Sequence, residues 1–352
     1  MLVVSFLFPK IGHAEPSVSA HNAILMEQST GRVLYEKNAY EEESIASITK
    51  IMTAIIAIES GKIHEKAKAS RNAIYTEGSS IYLEQGEKMT IEDLVYGLML
   101  RSGNDAAVAI AEHIGESEEG FVFLMNEKAK WLGMQQTHFD NPHGLDSDSH
   151  YSSAYDMALL TRYAMANEQF REIFGAKSYR SNNRSYSWQN KNKLLTQYYE
   201  HTTGGKTGFT KKTGRTLVTT ASKNGLDLIA VTLDAPNDWQ DHIRMYEWAF
   251  ENYEMEKLAS KGEVSYQVLL TDEKRTGFLY QDILYPLAKR EREQLVQKNY
   301  LLPESKETTI IGKTFFYLNG EKVKESPIYK ESQDEGFILR VLTILKKVAG
   351  MR

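Results

Sequence analysis

Apolar and polar positions divide the chain into regions of different period. "HNAILMEQSTGRVLYEKN" (His21–Asn38) sets two β-prone runs around a polar Ser29-Thr30-Gly31 turn, which predicts a hairpin. In "ESIASITKIMTAIIAIESG" (Glu43–Gly61), Ile48, Ile51, Met52, Ile55, Ile56 and Ile58 leave almost no polar face, which predicts a core helix. The Glu41–Glu43 cluster before it reads as a solvated helix start. From Thr90 to Gly175 the period is helical, with a Thr cap and acidic first turn in "TIEDLVYGLMLR" and Gly stops after "NDAAVAIAEHIG" and "GFVFLMNEKAKWLG". From about Thr202 the period becomes that of strands: "TTGGKTGFT", "RTLVTTASKNG" and "LDLIAVTLDAP", followed by a helix in "DWQDHIRMYEWAFENY". Strand, helices, strands, helix is an α+β order, an antiparallel sheet built from both ends of a domain with helices packed on it.

After Glu256 the chain turns charged and β-prone, and "GKTFFYLNGEKVKESPIYK" is a hairpin with Asn319-Gly320 at its turn. In the tail "EGFILRVLTILKKVAGMR", Phe337, Val341, Leu342, Ile344, Leu345 and Val348 share one helical side, with Arg340, Lys346, Lys347 and Arg352 as cationic anchors. Two readings fit this tail: an interfacial helix on a membrane surface, which we favour, or a helix docked on the protein itself. The opening "MLVVSFLFPKIGHA" resembles the apolar core and small-residue cleavage site of a secretory leader, without a positive start; export is favoured over a cytosolic start. The expected division is a leader over 1–14, a main domain over 15–255, a small β domain over 256–334 and the amphipathic tail over 335–352.

Composition narrows the chemistry. The chain has 352 residues, a net charge of −5 and no cysteine. Thiol catalysis, disulfides and cysteine metal sites are excluded. Nothing suggests a nucleic-acid footprint.

Lys50 is the anomaly on the apolar helix. Three residues after Ser47, it shares a helix face with it. Burying an ammonium is costly, so a desolvated Lys near a helix start should have a lowered pKa and could take the proton of Ser47. S-x-x-K marks acyl-serine penicillin-recognising enzymes, but it is expected about once by chance in a chain of this length. Without companions it reads as a capping serine with a snorkelling lysine. Two companions change that. Ser102-Gly103-Asn104 falls at a break between two helices, in the role of an S-D-N element, and Lys206-Thr207-Gly208 falls on a predicted strand as K-T-G. Gly208 would let a substrate backbone lie close to the strand, and Lys206 would further disfavour a proton on Lys50. K-T-G recurs at Lys212-Thr213-Gly214, in a charged turn-like cluster; the first copy is assigned to the site and Gly214 to a hairpin turn.

Together with "GSSIYLEQGE", "NPHGLD", "YDMALLTRYAM", "NKNKLL" and "GRTLV", these segments resemble, in order over about residues 20–255, the serine-type D-alanyl-D-alanine carboxypeptidases, or low-molecular-mass penicillin-binding proteins. The wording is most similar to the sporulation type of Bacillus-like bacteria. The resemblance implies a transpeptidase/β-lactamase-like domain, a β-rich stalk and a tail on the outer face of the membrane. It also implies a peptidoglycan stem peptide as substrate, β-lactams as acylating mimics and no cofactor. By motif, Ser47 would be the nucleophile, Lys50 the acylation base and Ser102 the proton relay to the leaving D-alanine. Asn104 would hold the peptide amide, Lys206 polarise the Ser102 side, and Thr207 bind the terminal carboxylate. The N–H groups of Ser47 and Phe209 would form the oxyanion hole. Lys191 in "NKNKLL" aligns with a basic position near the carboxylate, and Arg215 is a further candidate.

Other readings stay beside this one. A class A β-lactamase would share two motifs, but no E-x-x-x-N follows the second, and the chain is about 100 residues too long. A β-lactam sensor or wall-binding protein with little turnover would form the same acyl complex. His138, His143 and His150 near Asp140, Asp146 and Asp148 could suggest metal, but no H-E-x-x-H exists.

Overall fold

The first hairpin forms as its pattern predicts: β1 (Asn22–Glu27) pairs antiparallel with β2 (Val33–Lys37), with a register shift between Leu25 and Met26. The structure is a computed structural model that describes residues 15–267, 273–302 and 309–331; the leader and the amphipathic tail fall outside these described residues. Three later strands, β3 (Thr202–Thr210), β4 (Gly214–Lys223) and β5 (Leu226–Leu233), complete a sheet of order β2-β1-β5-β4-β3. The amino-terminal hairpin therefore joins the later strands through β1 against β5, as the α+β order requires. Alternation fails on β1 and β5 because both are buried almost throughout.

The longer helices are α1 (Lys50–Glu59), α2 (Ile91–Arg101), α3 (Asn104–Gly115), α4 (Glu118–Leu132), α5 (Ala154–Ala164) and α6 (Glu168–Gly175). α5 and α6 pack on the sheet, and α1 packs against α2, α3, α4, α5 and α6. Nine of the ten residues of α1, from Lys50 to Ile58, are buried, which explains its apolar circumference. Each buried Ile contributes about 1.5–3 kcal/mol, so α1 is held chiefly by its surroundings. Thr90 caps α2 by accepting from the Asp93 N–H, and Ser117 and Ser153 cap α4 and α5 in the same way. A last helix, α7 (Asp238–Asn252), carries the buried His242 and Tyr246, both bonded to Thr219 of β4.

The chain divides into two compact units after Glu251. Composition placed the change at 255; strand structure already begins at Tyr253. In the second unit, β6 (Tyr253–Ala259) pairs with β9 (Ile283–Ala288). A five-stranded antiparallel sheet has the order β7-β8-β12-β11-β10, where β7 is Gly262–Gln267, β8 Lys274–Leu279, β10 Leu295–Leu301, β11 Ile310–Leu318 and β12 Glu321–Tyr329. Asn319 and Gly320 form the β11–β12 turn with φ of 53° and 89°, the left-handed pair a two-residue hairpin needs.

Candidate active site

Ser47 is not on the α-helix that its spacing suggested. It lies in a 3-10 turn, Ala46–Thr49, and Lys50 is the first residue of α1. The chain enters this turn through Ala46 at φ of 48°, left-handed and costly for alanine. In a 3-10 turn the i and i+3 side chains eclipse, which sets Lys50 over Ser47. Lys50 Nζ stands 2.9 Å from Ser47 Oγ.

Several groups fix this strained turn. Thr216 Oγ1 on β4 donates to Ile45 O at 3.0 Å. Thr49 Oγ1 donates to Ala46 O and lies 2.8 Å from His150 Nε2. The His150 Nδ1 accepts from the Asp140 N–H at 3.0 Å, which makes Nε2 the protonated nitrogen that donates to Thr49. Burial lowers the pKa of His150 to about 4, consistent with this neutral tautomer. Both ring nitrogens are thus engaged, Nε2 with the Ser47 turn and Nδ1 with the Asp140 backbone, and among the described residues no group of His, Asp and Glu converges as a metal site. Gly144, at φ of 85°, brings the "NPHGLD" loop so close to Ala46 O that a side chain there has no room.

Lys50 is fully buried and makes two further contacts, to Asn104 Oδ1 at 2.8 Å and to the carbonyl of His143. Both are acceptors only, and the Asn104 orientation is set by its Nδ2 donating to Glu77 O. A neutral amine has two N–H bonds and one lone pair. In that form the two acceptors take the N–H bonds and the lone pair faces the Ser47 hydroxyl, whereas a protonated amine donates to all three oxygens. Burial drives the Lys50 pKa well below its ordinary range, with the charges of Lys206 and Lys191 adding to this and Asp105 opposing it.

Ser102 lies opposite, between α2 and α3, at φ of 64°. This left-handed backbone ends α2 and frees the side chain to meet Lys206, whose Nζ donates to Ser102 Oγ at 3.1 Å and to Thr207 O at 2.8 Å. Lys206 is buried on β3, and burial first, then the charge of Lys191, pushes its pKa down to about 7. Gly208 follows on the same strand, pressed against the Ser47 turn. Phe209 next to it is 65% exposed, on the open side of the strand. The second K-T-G lies in the β3–β4 turn, where exposed Lys212 faces Asp148 at 3.7 Å.

Lys191 lies at a neighbouring cleft, donating to Ser79 Oγ at 3.2 Å. Arg215 is held by Asp238 at 2.8 Å and lies over the Trp239 ring, rather than bonding to any residue above. Asp105, in the first turn of α3, supports the site from outside the three motifs. Its buried carboxylate accepts from Ser80 Oγ at 2.6 Å and from the Ile81 and Leu83 N–H groups, holding the 78–83 loop beside Asn104. The "GSSIYL" run was the available signal. The His143 carbonyl was likewise hidden, because backbone ligands leave no mark on residue identity.

A serine hydroxyl under a buried amine, with a serine–lysine pair across from it, is the arrangement of an acyl-serine hydrolase. Residues 10–237 match the family described as D-alanyl-D-alanine carboxypeptidase. The chain is 34% identical over 358 aligned residues to D-alanyl-D-alanine carboxypeptidase DacF of Bacillus subtilis, covering 96% of this chain and 91% of that protein. In structure it is similar to penicillin binding protein 5 from Haemophilus influenzae, with a TM-score of 0.77, 27% identity and coverage of 91% and 99% of the two chains. Penicillin binding protein 6B from Escherichia coli gives a TM-score of 0.71 at 27% identity, with coverage of 91% and 98%. The chain belongs to the D-alanyl-D-alanine carboxypeptidase family, with the fold of the low-molecular-mass penicillin-binding proteins.

Proposed function

We propose that the protein removes the terminal D-alanine from peptidoglycan pentapeptide stems through an acyl-enzyme on Ser47, and that β-lactams acylate the same residue. The observation that carries this reading is the contact of Lys50 Nζ with Ser47 Oγ at 2.9 Å, made by an amine whose other two contacts are acceptors. Lys50 takes the Ser47 proton as Oγ attacks the carbonyl of the penultimate D-alanine. The N–H groups of Ser47 and Phe209 receive the oxyanion that forms. When the C–N bond breaks, the proton reaches the leaving amine through Ser102, whose hydroxyl Lys206 polarises. Thr207 holds the terminal carboxylate and Asn104 the peptide amide. Water then attacks the ester carbonyl, giving up a proton to Lys50, and Ser47 is released with its hydroxyl restored.

Because peptidoglycan lies outside the cytoplasmic membrane, the enzyme works outside the cytoplasm. The leader-like start and amphipathic tail support export and attachment to the outer membrane face. The likeness of the motif segments to the sporulation type supports a role of that type. Labelling with a fluorescent penicillin, together with D-alanine release from diacetyl-Lys-D-Ala-D-Ala, tests the activity. Wild type should label and release D-alanine, and Ser47→Ala should do neither. Labelling that survives in Ser47→Ala would refute the assignment. Labelling without release would favour a sensor.

A further inference from the structure

We propose that the outer face of β10 and β11 in the second unit is a docking surface for an anionic lipid bilayer, seated beside the amphipathic tail. The inference rests on the membrane attachment proposed above. β10 is an edge strand of its sheet, and it pairs with β11 so that Val296 faces Tyr317, Lys298 faces Phe315 and Tyr300 faces Lys313. These six side chains share one face, because side chains alternate along a strand. The intervening Phe316 and Leu318 are buried in the core of the unit. On the outer face Tyr300 is 57% exposed, Leu302 51% and Val296 49%. Tyr300, Leu302, Ile310, Phe315 and Tyr317 line a groove of about 350 Å³. A contiguous exposed apolar patch with a polar rim marks an interaction site.

The make-up of the face selects its occupant. Tyr300 and Phe315 meet edge to face with ring centroids 5.4 Å apart, and Lys298 and Lys322 lie over the Tyr317 and Phe315 rings at 5.0 and 5.6 Å. Lysine stems laid on aromatic rings, with their ammonium groups at the rim, suit a lipid headgroup layer, where tyrosine rings sit between apolar and wet phases. Lys313 and Lys322 share one carboxylate, Glu325, at 3.0 and 2.8 Å, and Lys298 meets none among the described residues. The rim is therefore net positive. A positive rim repels the tail, whose cations are Arg340, Lys346, Lys347 and Arg352, and repels the same face of a second copy. An anionic headgroup layer is attracted instead. The position also fits. The Lys330 N–H donates to Thr309 O at 2.9 Å, beside Ile310 of the groove. From Lys330 to the start of the tail at residue 335 the chain reaches at most about 18 Å. A bilayer that takes the tail therefore lies within reach of this face.

The chain has no cysteine, so one introduced cysteine carries a single environment-sensitive nitrobenzoxadiazole probe. The purified full chain is labelled at Leu302→Cys, at Glu263→Cys on the opposite edge strand β7, or at Val348→Cys in the tail, and titrated with phosphatidylglycerol vesicles. The probes at 302 and 348 should shift to the blue and be quenched by spin-labelled lipid, and the probe at 263 should stay in water. Lys298→Glu should weaken vesicle binding about tenfold at low salt, and by less at high salt. Lys298→Arg should keep the wild-type affinity, which separates charge from folding. Vesicle binding that leaves the probe at 302 in water would overturn the lipid face alone. A probe at 302 already shielded without vesicles would give the face to the tail or to a second copy, and would overturn it as well. Vesicles that bind none of the labelled chains would overturn the proposed attachment and the lipid face together.

Discussion

A Cβ placed on Gly208 would stand 2.9 Å from the backbone nitrogen of Ser47. It would also run into Thr216 Oγ1 and lie 3.2 Å from Ile45 O. The Thr216 hydroxyl is the donor that pins Ile45 O. One missing methyl group thus lets β3 approach the Ser47 turn, the closeness that the proposed oxyanion hole of the Ser47 and Phe209 N–H groups requires. Gly208→Ala should displace the turn, with overpacking costing about 1–3 kcal/mol of stability. Because a shift of about 1 Å can cost about a hundredfold in rate, penicillin acylation should fall by that order. Stopped-flow acylation together with thermal melting measures both, and an unimpaired acylation rate would show that the close approach is not needed.

The two K-T-G copies separate by environment. Lys206 is buried and bonded to Ser102 and Thr207, whereas Lys212 is exposed in a turn near exposed Asp148. An exposed ion pair is worth about 0–1 kcal/mol. Lys212→Ala should therefore leave D-alanine release within about twofold of wild type. Lys206→Ala should lower it by two orders of magnitude or more, as loss of a group acting on the reacting charge does. Equal losses in the two variants would contradict the assignment.

The pH dependence has a defined sign. Lys50 must be neutral to accept a proton, so acylation should fall as pH falls through its pKa. Burial is the main cause of its lowered pKa and the Lys206 charge the next. Lys206, with its pKa near 7, carries that charge on the acid side. Replacing it with Met removes the charge, raises the Lys50 pKa and moves the acid limb of the acylation profile to higher pH. An acid limb that stays in place would show the two amines to be uncoupled. Stability should respond too. The lowered Lys206 pKa means the folded chain binds fewer protons than the unfolded one between pH 7 and the ordinary lysine value of 10.5. Wild-type stability therefore gains from rising pH in that window, and Lys206→Met should lack that contribution.

Much of this site could be read from residue order because side-chain chemistry and period carried it. The helix of Ile residues, the break at Ser102 and the strand at Lys206 each follow from local pattern. What could not be read was carried by backbone. The left-handed Ala46 that opens the 3-10 turn of Ser47 has no composition signal, since alanine favours helix. The His143 carbonyl and the Gly144 approach depend on how a loop from residues 141–145 returns to Lys50, about 90 residues away in sequence by the measure of non-local contact. Asp105 carries no motif of its own, and its partners Ser80, Ile81 and Leu83 are met only in the folded chain.

Asp105 gives the last prediction. Its carboxylate is buried and accepts from the Ser80 hydroxyl, from the Ile81 and Leu83 N–H groups and from the Ala106 N–H at 2.9 Å. Asn in its place keeps one acceptor oxygen but turns an NH₂ toward groups that are themselves donors. Hydrogen bonds to a charged group contribute about 1.5–3 kcal/mol each, so Asp105→Asn should destabilise by at least that amount. The loop it releases carries Gly78, whose backbone packs against the Asn104 amide. Since Asn104 also binds Lys50, loosening the loop should reach the catalytic amine. Faster amide hydrogen exchange at Ile81 and Leu83, with acylation lowered at least tenfold, is the expected outcome. Exchange that rises while acylation stays at the wild-type rate would confine Asp105 to folding.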